Sequence, residues 1–344
     1  MATRAGVHPA TASRALNPAQ QGRITEKTAH RVRSASAELG YLPDPTARSL
    51  RTRRSGLVGV VIPDLTNPVL APIVRGVEES LWASGFACVL ADTDNDRARE
   101  EAVIAELRAR RCEGLIVATA TWRSEAVRRL AEEGPATVLV TRDLDRGTLP
   151  FVAADDAAGV AASARHLRSL GHRLIAHLTG PSNLSTTRRR VQALTEVAAD
   201  PAAPPLEVLV RHGPRFTVDV GRQLGARLLQ ERRDVTAILA GNDMIALGCL
   251  DALEEAGLHC PDDVSVVGHN DMPNVGRLRP PLTTVAIPQR VLGARAAEVL
   301  LRRLAGEHTI ERHLLAVELI VRGSTAPPAT SAGRAAARTE DALT

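Results

Sequence analysis

The sequence predicts an α/β protein: a small helical head at the N-terminus, then a larger body of two doubly wound parallel sheets. Three observations carry this reading. From Leu57 onward, short unbroken apolar runs alternate with stretches of helical period, the first run being Leu57-Val58-Gly59-Val60-Val61-Ile62. Strands buried on both faces read as continuous apolar runs, and their alternation with helices means parallel sheets covered on both sides. Before Leu57, apolar residues recur only at helical spacing. Charge is also segregated: residues 1–54 hold ten Lys/Arg against three Asp/Glu, +7, which leaves −3 for the rest of a chain of net charge +4. A basic head on a mildly acidic body is the footprint of a nucleic-acid-binding module joined to a separate domain.

The chain has 344 residues, enough for two or three domains, and 44% of them are hydrophobic, enough for a sizeable core. Four cysteines, Cys88, Cys112, Cys249 and Cys260, are scattered with no CxxC and no histidine at metal spacing. They are expected to be buried free thiols in a reducing cytoplasm, and no metal or other cofactor is implied. No apolar run approaches a membrane span and the start has no signal-peptide core, so no membrane partner is expected.

In the head, Gly6 ends one short helical segment and Pro9 fits the first turn of another. Ala12, Ala15 and Leu16 then fall at i, i+3 and i+4 and make one apolar stripe. Thr11, Ser13 and Arg14 lie off that stripe. Such a helix suits a DNA major groove, where hydroxyls reach phosphates and an arginine forks onto the two acceptors of guanine. It equally suits an ordinary surface helix with one exposed arginine. A third helix starts near Thr25, which can cap it. Ala29, Val32, Ala35 and Leu39 form its packing face, and Gly40 stops it.

The stretch A-G-V-x-x-x-T-x-S-R-x-L-N at residues 5–17 resembles the helix-turn-helix signature of the LacI/GalR family of bacterial transcription regulators. Gly40-Tyr41-Leu42-Pro43-Asp44 and Ala47-Arg48-Ser49-Leu50 are similar to the family's hinge, and the resemblance runs on to Arg322-Gly323-Ser324-Thr325. It implies a helix-turn-helix head over residues 1–40 and a hinge over 41–55. A periplasmic-binding-protein-like body would span 56–325, and a disordered tail 326–344. It also implies a homodimer on double-stranded operator DNA, most simply a repressor, controlled by a small polar effector, a sugar or a derivative. DNA contacts carry over to His8, Pro9, Ala10, Thr11, Ser13, Arg14, Asn17, Tyr41, Ala47 and Leu50. Leu50 has two readings: it packs on its own domain, or it wedges into a minor-groove base step. Relatives usually carry several residues before this start, so the first helix is expected to shrink to about one turn. A start codon placed too late, with an in-frame extension upstream, explains this best; a truncation that impairs DNA binding is the alternative.

In the body, strands are expected over residues 57–62, 87–91, 114–118, 137–140 and 151–153, with helices over 72–81, 97–110 and 124–133. A second round follows, with helices over 157–170, 188–198, 218–231 and 244–256. Its strands fall over 174–178, 206–210, 237–240 and 264–268. Two such sheets in succession resemble the periplasmic-binding-protein fold, with lobe one over 56–154 and 285–314 and lobe two over 155–284 and 315–325. Ligands of open α/β sheets sit beyond the carboxyl ends of strands. Polar residues fall there repeatedly: Asp64-Leu65-Thr66-Asn67, Asp155-Asp156, Asn242-Asp243 and His269-Asn270-Asp271. Each could instead cap the helix that follows. The resemblance places ligand contacts at Val69, Leu70, Asp155, Thr186, Arg190, Phe216, Asn242 and Asn270. Two departures separate this chain from many relatives: Asn270 replaces an aspartate, and Val69-Leu70 replaces two aromatics. No G-x-S-x-G, phosphate loop, G-x-G-x-x-G after the first strand, or H-E-x-x-H occurs, so no enzyme is expected. The rivals are a solute-binding protein, which lacks a basic head, and an α/β enzyme using cleft carboxylates.

Overall fold

The computed structural model describes residues 1–16, 24–41 and 54–328. Two compact units result, Met1–Gly56 and Leu57–Thr344. Asn17, Ala47, Leu50 and the expected hinge helix lie outside the described residues, as does the tail beyond Pro328.

In the first unit, residues 1–7 form turns held by Ala5 N–H to Met1 C=O and Val7 N–H to Ala2 C=O bonds. Helix α1 (Pro9–Ala15) has Pro9 in its first turn, and the His8 ring caps it, Nδ1 accepting from Ala10 N–H at 3.2 Å. Helix α2 (Glu26–Glu38) ends in a Schellman arrangement. Gly40 takes φ +58°, its N–H donates to Ala37 C=O, and Tyr41 N–H donates to Ser36 C=O. The expected Thr25 cap does not form: its hydroxyl donates to Thr28 Oγ1 at 3.0 Å and leaves the helix amides alone. The core consists of Ala5, Ala12, Ala15, Ala29, Val32 and Ala35, mostly alanines, so the helices can approach closely.

The second unit holds two six-stranded sheets. The first contains β1 (Leu57–Ile62), β2 (Ala87–Asp92), β3 (Gly114–Val117), β4 (Ala136–Val140), β5 (Phe151–Ala154) and β11 (Arg312–Leu315), all parallel, in the order β11-β5-β4-β3-β1-β2. The second contains β6 (Leu174–Thr179), β7 (Glu207–His212), β8 (Ala237–Ala240), β9 (Ser265–Asn270), β10 (Thr283–Ala286) and β12 (Glu318–Ile320), in the order β12-β10-β9-β8-β6-β7. The expectation of purely parallel sheets fails at β12, which pairs antiparallel with β10. It is a short edge strand that needs no crossover helix, a common way to finish an otherwise parallel sheet. The direction in which successive strands are added reverses between β1 and β3 in one sheet and between β6 and β8 in the other, though both pairs are parallel. These are the switch points beyond which open α/β sheets bind ligands.

Helices α3 (Leu70–Ala83), α4 (Arg97–Ala109), α5 (Glu125–Glu133) and α10 (Gln289–Leu304) serve the first sheet. Helices α6 (Asp156–Ser169), α7 (Ser185–Ala198), α8 (Val218–Glu231) and α9 (Asp243–Glu255) serve the second. The return crossing lies later than expected. Residues 284–286 stay in the second sheet, because β10 pairs with β9 from Thr283 to Ala286, and only α10 rejoins the first lobe. Leu315, expected in lobe two, pairs with Ala154 in sheet one. Contacts with the second sheet also run past 325: Ala326 N–H donates to Ser265 Oγ at 3.0 Å, and its carbonyl takes bonds from that hydroxyl and from the His172 ring. Of the cysteines, Cys112 and Cys249 are buried, but Cys88 and Cys260 are half-exposed.

Each lobe is clamped by one glycine-paired helix crossing. A Cβ on Gly293 of α10 would lie 1.9 Å from the Ile73 carbonyl of α3, and one on Gly76 of α3 would lie 2.0 Å from Arg290 O. In the second lobe, Gly248 and Gly221 do the same between α9 and α8. Backbone cannot give way as a side-chain tip can. Gly293→Ala is therefore expected to destabilise the body by about 1–3 kcal/mol. Urea unfolding of the full chain checks this, and an unchanged midpoint would contradict it.

Candidate functional site

Two places hold the residues singled out from sequence. On α1, Ala12 and Ala15 are buried, while His8, Pro9, Ala10, Ser13 and Arg14 are exposed and Thr11 is half-buried. The helix therefore presents its polar and small side chains outward on one short face. Arg14 makes no ion pair among the described residues, so its guanidinium fork is available. Tyr41 is exposed just past the end of α2.

The other place is a cavity between the two lobes, beyond the carboxyl ends of β1, β6, β8 and β9. Val69, Leu70, Thr186, Arg190, Phe216, Asn242 and Asn270 all line it. Val69 and Leu70 open α3 and form an aliphatic wall. The Phe216 ring lies against Gly180 and Gly241, where a Cβ would stand 2.4 Å and 3.1 Å from ring atoms, so both glycines make room for it. Asn242 caps α9, its Oδ1 accepting from Ile245 N–H at 2.9 Å, which leaves its amide hydrogens for the cavity. Asn270 takes φ +111° and Thr141, on the facing lobe, φ +62°. Both are uncommon for residues with a side chain, and a β-branched residue there is an outlier of the kind that clusters at ligand sites.

Asp155 corrects the expectation. Its carboxylate caps α6, accepting from Ala158 N–H at 3.0 Å, and it is Asp156 that lines the cavity. An N-cap side chain folds back onto the amides of its own helix, while the first helical residue is free to point elsewhere. Asp156 is 4% exposed; its Oδ1 accepts from Arg190 Nε at 3.0 Å and Nη2 at 2.6 Å. Arg189 Nη2 stands 3.6 Å from Oδ2, and His269 Nε2 3.4 Å from Oδ1. Burial alone would raise the Asp156 carboxyl, but Arg190, His269 and Arg189 outweigh it and hold it far below the usual carboxylate range. Arg190 also donates from Nη1 to the Gly241 carbonyl. Three of its five N–H groups are thus committed to protein, and it turns only the remainder toward a ligand. Arg190 is a structural partner as well as a lining residue.

Asn67, one of the polar residues singled out beyond β1, lines the cavity as well, and sequence reasoning missed two polar lining residues, Thr141 and Arg142. Thr141-Arg142 directly follows β4, so the rule of polar residues at strand ends points to it. Arg142 donates from Nη1 to Asn95 Oδ1 at 3.1 Å, and burial lowers it to about 10, still charged at neutral pH. Gln289 supports the site from below, donating from Nε2 to Asn270 C=O at 2.9 Å.

Asp243 braces the turn beyond Asn270. It accepts from Thr284 Oγ1 at 2.6 Å and from Met272 N–H at 2.7 Å. Burial raises its carboxyl to about 7, against the pull of those two donors, with Asp271 adding to the rise. A folded-state pKa above the unfolded value means the folded chain holds a proton the unfolded chain has lost. This stabilising contribution is complete below about pH 4 and fades as pH rises through about 7. His177 and His269, lowered by burial to about 4, act oppositely: their contribution is lost as pH falls from about 6.5 toward 4. The Asp243→Asn variant isolates the first effect. Its stability relative to wild type is expected to climb by up to about 4 kcal/mol between pH 4 and 7 and then level off. A difference that stays flat across that range would contradict it.

A helical head and a two-lobed α/β body with a polar cleft, joined in one chain, define a DNA-binding regulator with its own ligand-binding domain. The comparisons agree. The pattern of bacterial regulatory proteins of the lacI family matches residues 1–44, and that of a periplasmic binding protein-like domain matches residues 164–325. An uncharacterized HTH-type transcriptional regulator from Streptomyces limosus is 35% identical over 95% of this chain and 93% of its own. The lac repressor dimer bound to operator and the anti-inducer ONPF superposes with a TM-score of 0.85 at 28% identity, over 94% of this chain and 97% of that one. A CelR–cellobiose complex gives a TM-score of 0.72 at 30% identity, over 94% and 98%. The chain belongs to the lacI family of bacterial regulatory proteins and is a DNA-binding transcriptional regulator. Among the described residues no helix is long and apolar enough to cross a membrane.

Proposed function

We propose that the protein is a cytoplasmic homodimeric repressor, not an enzyme. It binds a pseudo-palindromic operator through α1 and is controlled by a sugar or sugar derivative held between the lobes. The convergence of Thr186, Arg190, Phe216, Asn242 and Asn270 on one interlobe cavity carries this reading. Amide and guanidinium donors around a single aromatic face suit a hydroxylated ring, with Phe216 against its apolar side. In the head, His8, Pro9, Ala10, Thr11, Ser13 and Arg14 contact DNA. Asn17, Tyr41, Ala47 and Leu50 complete the interface on the strength of the family resemblance. Paired heads require paired half-sites of matching symmetry. The two lobes already touch at several points, among them Trp122 N–H to Asn183 C=O and Asp143 N–H to Ser185 Oγ, both at 2.8 Å. A ligand that changes how the lobes meet shifts operator affinity only by the difference in its affinity for the two states.

The test is fluorescence anisotropy on an operator duplex at fixed salt, with and without sugars. One sugar is expected to change operator affinity at least about fivefold, the lower end of ordinary allosteric coupling. Phe216→Ala should abolish that response while ligand-free operator binding stays within about twofold of wild type. Operator binding indifferent to every sugar tried, or an unchanged response in the variant, would count against the assignment.

A further inference from the structure

The outward face of α1 carries more than Arg14. Pro9 and Ala10, in its first turn, are both exposed and stand one turn before Ser13 and Arg14 on the same side. A helix laid into a major groove brings its N-terminal residues to the base edges. The tip of a helix ordinarily offers free backbone amides there. In this first turn none remains. Pro9 has no N–H, and Ala10 N–H donates to the His8 ring. Thr11 N–H and Ala12 N–H both donate to His8 C=O, at 2.9 Å and 3.1 Å. The exposed side chains of Pro9 and Ala10 add only carbon. The face that carries Ser13 and Arg14 therefore ends in an apolar tip.

The base that such a tip favours follows from the groove. Donors and acceptors mark every base edge there, and the C5 methyl of thymine is the apolar feature among them. The side chains of Pro9 and Ala10 give no hydrogen bond and take none, so that methyl is what they attract. The neighbouring His8 ring accepts through Nδ1 and so carries its hydrogen on Nε2, a donor that suits an oxygen and does not sense a methyl. A helix turn rises about 5.4 Å against about 3.4 Å per base pair, so one turn of α1 covers about one and a half base pairs. We propose that each operator half-site holds a thymine within about two base pairs of the guanine taken by Arg14, recognised by its C5 methyl against Pro9 and Ala10. This rests on the reading of α1 as the helix that reads DNA.

The test uses an operator duplex selected by the full chain from random DNA. Each thymine is replaced in turn, in both half-sites, by deoxyuridine, which removes the methyl and keeps every hydrogen-bonding group. Anisotropy at one fixed salt concentration is expected to show one replacement near the guanine weakening binding about fourfold per half-site, the worth of one buried methyl. Exchanging that thymine–adenine pair for cytosine–guanine should also weaken binding, and 5-methylcytosine in place of the cytosine should recover the methyl's share, again about fourfold. A variant carrying Pro9→Gly and Ala10→Gly should bind the thymine and deoxyuridine duplexes about equally. Each protein is compared with itself, so a uniform loss from a weakened helix cancels. Should the double variant fail to fold, either single variant should narrow the difference. An operator with no thymine at that distance would overturn the proposal, as would no thymine sensitive to the exchange, no recovery with 5-methylcytosine, or a difference that persists undiminished in the variants. Failure of the chain to select any sequence would remove the reading of α1 itself, and this proposal with it.

Discussion

Replacing Asp156 by alanine is expected to destabilise the body by about 3–5 kcal/mol, the usual cost of breaking a buried ion pair by removing one partner. Arg190 is 6% exposed, and Asp156 is the carboxylate paired with its guanidinium; Arg189 and His269 stand beside the same group. Without that carboxylate, positive charge stays buried among N–H groups with too few acceptors. Asp155→Ala, one residue earlier, removes only a helix cap and should cost about 1 kcal/mol. Unfolding of the two variants side by side at pH 7 decides it: equal losses would contradict the account of Asp156. Because the Asp156 carboxyl is held far below its unfolded value, its contribution is present throughout the neutral and mildly acidic range. It fades only as pH falls below the ordinary carboxylate range.

The second large effect is expected on DNA. Arg14→Ala should weaken operator binding by about 1–3 kcal/mol and relax base preference at one position per half-site. The side chain is exposed on α1 and has no ion pair among the described residues to hold it back. Anisotropy on operator and random duplexes at one salt concentration separates the possibilities. Equal loss on both would make Arg14 a phosphate contact, since only phosphate contacts act uniformly across sequences.

Much of this was legible in the residues. Val58, Val60, Val61 and Ile62 lie in an unbroken apolar run, and all are buried in a strand flanked on both sides. The spacing of Ala12 and Ala15 likewise places them in the head core. What stayed hidden depends on direction rather than pattern. Asp155 and Asp156 are chemically identical neighbours, and only the helix start decides which carboxylate caps and which faces the cavity. Arg190 reads as a ligand fork because nothing local shows that Asp156, on another helix, already occupies it. The return from sheet two to sheet one falls after Ala286 because β10 pairs with β9, a long-range pairing that no local periodicity encodes.

The central claim is that α1 reads a symmetric DNA sequence as part of a dimer. It is tested most directly by selecting binding sites for the full chain from random duplex DNA at one fixed, near-physiological salt concentration. The account predicts enrichment of an inverted repeat with one guanine in each half-site sensitive to Arg14→Ala. Recovery of unrelated sequences, bound no better than the starting pool, would contradict it.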